Sequence, residues 1–309
     1  MKTKSLLLDS VKLEDIDEED VDSSFLSGMK TLWNRYRNQI IMLSIFIIIT
    51  IFFIIITYIP PFNDISRYYY DIERVRLPPS PAFPMGTNRY GQDNLNLLLR
   101  GFSNSIIFSF ITALICTGIA VLFGVIGPYI HWTTDTISQF ITNVALVFPV
   151  IPFILLLAAL TEERSIYQMI VIIALFYWPW AARSMRAQVL TIKERDYIKV
   201  SKMSGIGSAK VAVTEVLPGV LSYTFLTFVI SVAIAIATEA GIAMLGFGQN
   251  DYLTLGYLLD EVLTQGYIIT GKYYIWIPPG AILTLFLLLI YALHGSISSI
   301  FNPKTRDIA

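Results

Sequence analysis

Few side chains in this 309-residue chain have the type and spacing for covalent chemistry. His131 and His294 stand far apart, and no His or Cys cluster shows metal-ligand spacing, so neither a zinc enzyme nor a hydrolytic triad is suggested. Cys116, the lone cysteine, lies inside an apolar run and reads as a small buried hydrophobe. The run Gly205-Ile206-Gly207-Ser208-Ala209-Lys210 has the glycines of a phosphate-cradling loop, but it follows no strand of a βαβ unit and the chain has no G-x-x-x-x-G-K-[ST] motif. Any ATP hydrolysis therefore belongs to a separate polypeptide.

The charged stretch is more informative. Between Arg183 and Lys210 lie Arg183, Arg186, Lys193, Arg195, Lys199, Lys202 and Lys210, flanked on both sides by strongly apolar runs. By the positive-inside bias this interval lies on the cytoplasmic face of a membrane. If Asp196 caps a helix over residues 197–204, then Arg195, Lys199 and Lys202 share one face, and Tyr197, Val200, Ser201 and Ser204 another. Gly205 ends that helix, because glycine takes a left-handed conformation cheaply. Ser208 then caps a second short helix to Val216, and Leu217-Pro218 opens the next apolar run. The expectation is a helical hairpin beneath the membrane, within residues 185–216. An ordinary solvated loop is the alternative. One acid, Glu239, sits within a long apolar run. Three positions fit it: facing a translocation pathway, pairing with another subunit, or hydrogen-bonded to a loop near the outer end.

The elements that must position these residues follow from composition. With 55% hydrophobic and 15% charged residues and a mean hydropathy of +0.63, the chain has the composition of a polytopic membrane protein, with the lipid bilayer as its solvent. The net charge of −1 says little, because it averages an acidic N-terminal tail with basic segments, and no nucleic-acid partner is implied. Residues 1–26 are acidic and unpatterned, as expected of a mobile cytoplasmic tail, and they lack the form of a cleavable signal. Residues 27–39 read as an amphipathic interfacial helix. A first span is expected over 40–58, an extracytoplasmic segment rich in proline over 59–102, a transmembrane core over 103–300, and a cytoplasmic tail over 301–309. Within that core, a second span runs over 103–130 with Gly118, Gly124 and Gly127 at close helix contacts. A link over 131–135 precedes a third span over 136–160 kinked at Pro149 and Pro152, then a fourth from Ser165 to about Ala182. A fifth runs from Leu217 to Phe247, and a sixth over 273–300 is broken early at Pro278-Pro279-Gly280. The loop between the last two spans has room for short helices. The fold class is thus an all-α polytopic membrane protein with six transmembrane helices and both termini cytoplasmic. Of the 22 lysines and arginines, all fall inside on this topology except Arg67, Arg74, Arg76, Arg89, Arg100, Arg164 and Lys272.

Several segments together resemble the permease subunits of ABC importers of the oligopeptide/dipeptide/nickel type, in particular the family's C-type permease. Gly205 and Leu217-Pro218 match that family's cytoplasmic signature, with Asp196-Tyr197 at its lead-in; the usual Glu-Ala-Ala positions hold Lys199, Val200 and Ser201. Gly86-Thr87-Asn88-Arg89-Tyr90-Gly91-Gln92-Asp93 resembles its Gly-Thr-Asp-x-x-Gly-Arg-Asp, with Asn88 and Gln92 substituted. Glu239-Ala240 with Leu245-Gly246-Phe247-Gly248, Leu255-Gly256, Pro279-Gly280 and Asn302-Pro303-Lys304-Thr305-Arg306 are similar to further family segments. The resemblance implies a subunit of the cell (inner, cytoplasmic) membrane that forms half of a pathway for peptides or similar small solutes. It implies a second homologous permease, two ATPase subunits that bind ATP and Mg, and an extracytoplasmic substrate-binding protein. This chain itself would hold no cofactor and be no enzyme. Asp196, Tyr197, Lys199, Val200, Ser201, Lys202, Gly205, Leu217 and Pro218 would couple to the ATPase; Gly86, Thr87, Gly91 and Asp93 would form an extracytoplasmic motif. A secondary transporter or channel, needing no ATPase, is the competing class.

Overall fold

The computed structural model describes residue 37 and residues 39–59, 71–130, 132–161, 165–248 and 252–301. The expected acidic tail, nearly all of the expected interfacial helix and residues 302–309 lie outside them. Among the described residues, five helices are long and apolar enough to cross a membrane: α1 (Gln39–Ile56), α2 (Asn94–Ile126), α5 (Ile166–Lys193), α8 (Ala212–Phe247) and α10 (Tyr273–Phe301). The pair α3 (Trp132–Val147) and α4 (Val150–Leu160), bent by 78°, supplies a sixth crossing if taken as one span. Between the long helices lie α6 (Asp196–Met203), α7 (Ser208–Val211) and α9 (Leu255–Thr264). The described residues form no strand; a single bridge joins Thr87 to Asp93.

Helix α2 is central, packed against α5 on one side and α8 on the other. Its all-round apolarity suits that position. One core layer joins Phe46 of α1 to Phe102 and Ile106 of α2, Ile236 of α8, Leu255 of α9 and Ile290 of α10. A second lies at the end that carries the 183–210 basic cluster, here the basic end, and includes Val125, Met185, Val189, Ile198, Val216 and Val220. Across the bundle, Thr238 of α8 donates to the Tyr177 hydroxyl of α5 at 3.0 Å. Of the three glycines expected at close contacts in α2 and its extension, Gly124 and Gly127 abut Ala182 and Ser138, while Gly118 faces open space.

The structure departs from the sequence expectations at several helix ends. α2 begins at Asn94, earlier than expected, because the Asp93 carboxylate accepts from the Leu95 amide at 3.0 Å and caps it. α3 begins at Trp132, where a link was expected, and the kink of the third span is a full break at Phe148-Pro149; Pro152 falls in the first turn of α4, where no amide donor is required. α5 runs past Ala182 to Lys193, because the buried stripe Ala182, Met185, Val189, Ile192 continues at helical spacing with no glycine or proline to stop it. Its start is a capping box, Ser165 accepting from Tyr167 N and Gln168 accepting from Ser165 N. α10 is unbroken through Pro278-Pro279. Those prolines sit in its early turns, so the carbonyls they leave without donors belong to Tyr274 and Ile275 near the helix start.

Candidate functional site

The charged stretch folds as two helical segments about a glycine turn. α6 starts one residue earlier than expected: Arg195 holds the capping position, its carbonyl accepting from the Ile198 and Lys199 amides, while Asp196 lies within the helix and does not cap it with its side chain. Gly205 has φ of +77°, and the Ile206 amide reaches back to the Ser201 carbonyl at 3.3 Å, the long return bond of a left-handed helix terminus. α7 then runs directly into α8. Leu217-Pro218 does not open the span but lies inside a continuous helix. A π turn over Ala212–Val216 precedes it, with the Leu217 amide bonded to the Ala212 carbonyl, so the register has already shifted where Pro218 lacks a donor.

The two faces of α6 differ. Ile198 is fully buried, in one apolar cluster with Val189 and Ile192 of α5, Val211 of α7, and Ala212, Val216 and Val220 of α8, so this side of α6 belongs to the core. On the opposite face Val200 and Met203 are 60% and 87% exposed, with Tyr197 half exposed beside them and its hydroxyl close to Gly219. Ser201 is partly buried; Lys199 is exposed, 3.8 Å from Glu194 and 3.9 Å from Asp196. Such solvated pairs contribute little stability. The side chain of Lys202 lies outside what is described. Met203 and Ile198 were missed by the sequence reading, although the spacing of Val200 and Met203, opposite Ile198, carries the signal. Beside α6 a cleft of about 510 Å³ is lined by Gln188, Thr191, Arg195, Ser222, Tyr223 and Ser298.

At the other end of the bundle, the 86–93 motif is a buried knot. Thr87 donates to the Arg74 carbonyl and accepts from Leu77 N at 2.8 Å. Asn88 accepts from the Tyr90 and Gln92 amides and donates to the Gln92 side chain at 2.9 Å. Gly91 has φ of +77°, and a Cβ there would fall 2.1 Å from the Asp71 carbonyl, so no other residue fits. Asp93 accepts from Asn96 as well as capping α2. Gly86 and Thr87 complete the turn, the Gly86 carbonyl accepting from Asn94 N.

This knot meets α9 through Asn88 and Glu261, 3.5 Å apart. Burial raises the Glu261 pKa, against the lowering pull of Asn88 and Arg89, and Tyr267 beside it is pushed up to about 12 by burial and then by Glu261. A carboxyl whose folded pKa lies above its unfolded value stabilises fully below the unfolded value and loses that contribution as pH rises through the folded one. Thermal melts of the purified chain should therefore show the wild type losing stability from pH 5 to pH 7 relative to Glu261→Gln; parallel profiles for the two proteins would contradict this assignment.

Glu239, 1% exposed, accepts from the Thr254 hydroxyl at 2.7 Å, and Thr254 caps α9 by accepting from Tyr257 N at 3.1 Å. Glu239 is thus hydrogen-bonded to a residue of the loop that precedes α9. Among the described residues no group of three or more His, Cys, Asp or Glu could hold a metal ion.

Comparison with known proteins shows the family of the chain. Residues 117–307 match the family described as "Binding-protein-dependent transport system inner membrane component". The oligopeptide transport system permease protein OppC of Mycobacterium tuberculosis is 28% identical over 252 residues, covering 81% of this chain and 86% of that protein. OppC of Lactococcus lactis is 24% identical over 272 residues, covering 87% and 92%. The family match spans α3 to α10, including both helical segments about Gly205, and the membrane-length helices are those of a multi-pass permease. The chain belongs to the family of binding-protein-dependent transport system inner membrane components.

Proposed function

We propose that this permease subunit forms half of the translocation pathway of an ATP-driven importer of short peptides, and that α6 with the Gly205 turn is where a separate ATPase subunit docks. The observation that carries this reading is the pair Val200 and Met203, apolar and exposed, on a helix whose opposite side is anchored through Ile198 between α5 and α8. Exposed apolar side chains at helical spacing on a seated helix fit a hydrophobic groove on a partner. Because Ile198 is buried in one core layer with residues of both long helices, displacement of α6 moves α5 and α8 together, which is how closure of an ATPase pair would switch access from one end to the other.

On this reading the basic end is cytoplasmic, both termini lie there, and the 86–93 knot with α9 faces outward toward an extracytoplasmic substrate-binding protein. A second, homologous permease completes the pathway. Two ATPase subunits bind ATP and Mg, and this chain supplies no catalytic group. Asp196, Tyr197, Lys199, Val200, Ser201, Lys202, Gly205, Leu217 and Pro218 form the coupling region. The likeness to two OppC permeases supports peptides as cargo. Proteoliposomes holding the complete importer are expected to accumulate trialanine only when ATP and the binding protein are present on opposite sides. Uptake driven by a proton or sodium gradient without ATP would favour a secondary carrier instead.

A further inference from the structure

A separate cleft lies away from α6. It measures about 330 Å³ and lies between α3 and α5, with Phe123 of α2 at its back. Its α3 wall is polar, formed by Ser138, Gln139, Thr142 and Asn143, residues that share one helical face. Its α5 wall carries Ala182, Arg183, Arg186, Ala187 and Leu190.

The two arginines are in different states. Arg186 is neutralised: its Nε and Nη2 donate to the two oxygens of Asp135 at 3.0 and 2.7 Å, a bidentate pair that ties α5 to α3. Arg183 has no acid and no hydrogen-bond partner among the described residues, and it is exposed to the cleft that it lines. Gln139 and Asn143 likewise make no side-chain hydrogen bond to a described residue. The hydroxyl of Thr142 is already committed, donating to the Ser138 carbonyl at 2.7 Å. What remains open is one guanidinium and two carboxamides.

Arg183 lies 17 residues into α5, roughly 26 Å along the helix from its other end, which puts it near the boundary of the hydrocarbon layer at the basic end. At that boundary an arginine need not face hydrocarbon, and the cleft gives Arg183, Gln139 and Asn143 a common polar space to face. A planar guanidinium with flanking amide donors matches a carboxylate, which accepts in a fork. The volume is at the small end for a ligand site and admits the carboxylate end of a short solute, not the whole of a long one.

We propose that Arg183, with Gln139 and Asn143, is a carboxylate subsite on the pathway wall, which receives the carboxylate of a transported solute near the cytoplasmic exit. Asp135 keeps Arg186 occupied and leaves Arg183 as the receiving cation. The proposal rests on the reading that this chain lines a solute pathway; the charge of the solute is its own addition.

The test uses the full chain with its partners in inside-out membrane vesicles. Cys116→Ala removes the native thiol and Ala187→Cys places a reporter on the cleft wall, leaving Arg183, Gln139 and Asn143 intact. A sulfonate-bearing methanethiosulfonate should label the reporter about tenfold faster than its trimethylammonium analogue, since a cleft of one sign concentrates counter-ions to that order. Arg183→Gln should bring the ratio close to one. Arg183→Lys should keep the preference but weaken protection several-fold, because it retains the charge without the fork. Trialanine and millimolar propionate should slow labelling by the sulfonate reagent, and trialanine amide should not.

Equal labelling by the two reagents, or a preference untouched by Arg183→Gln, overturns the proposal. So does protection that depends only on phosphatidylglycerol in the vesicles, which would assign Arg183 to a lipid headgroup. Protection by propionate in an importer that fails to accumulate trialanine would leave the subsite standing and remove the peptide reading. Trialanine uptake with no protection by either carboxylate would do the reverse.

Discussion

Replacing Gly205 with glutamate is expected to cut ATP-driven transport by at least about tenfold, equivalent to about 1.4 kcal/mol, while the chain still inserts and folds. Gly205 sits at φ of +77°, and beyond its chain neighbours no described atom lies within 4 Å of where a Cβ would stand, so among the described residues a Cβ there meets open space. Its internal cost is the left-handed backbone alone, about 1–2 kcal/mol, or a few degrees of melting temperature. On the proposed docking at α6 the larger loss is there, since a carboxylate beside the neighbouring apolar Met203 and Ile206 would disturb an apolar contact. Gly205→Asn separates the two effects, since asparagine tolerates the left-handed region and adds no charge. It should retain most of the coupled hydrolysis. A glutamate variant with normal cargo-stimulated ATP hydrolysis would sink the docking assignment. Lys199 gives a milder contrast: its intramolecular pairs with Glu194 and Asp196 are long and solvated, so Lys199→Glu should leave stability unchanged and alter only partner affinity.

The second large effect is at Glu239. Glu239→Leu removes the acceptor of the Thr254 hydroxyl in a site only 1% exposed. A buried hydrogen bond to a carboxylate is worth about 1.5–3 kcal/mol, which lowers the melting temperature by roughly 2–5 °C in a protein of 309 residues. Glu239→Gln keeps an acceptor oxygen in place and should melt close to wild type with transport retained. The contrast also tests the alternative: a carboxylate acting on cargo or protons in the pathway would lose transport in the glutamine variant with no change in melting.

The spans were legible because apolar runs of membrane length are bounded here by charge and proline. The helix ends were less so. At Leu217-Pro218 a π turn shifts the register one residue before the proline, and nothing in local composition signals it. The proline pair of α10 reads as a break by local rules, yet both prolines fall near the start of a long helix. The extension of α5 to Lys193 was visible in the stripe Met185, Val189, Ile192, but the basic residues interleaved with it drew the boundary earlier. At Gly205, the turn followed directly from residue type. The seating of Ile198 depends on α5 and α8 closing around it, contacts that no spacing rule supplies. The Asn88–Glu261 contact joins residues 173 positions apart and could emerge only with the fold.

Purification of the tagged full chain in a mild detergent tests the central claim most directly, with the co-purifying ATP-hydrolysing subunit quantified for wild type, Val200→Glu and Gly205→Glu. The account predicts that the ATPase accompanies the wild-type chain and is largely lost from both variants while each chain stays monodisperse. A wild-type chain that purifies without any ATPase yet still transports solute when reconstituted alone would contradict it.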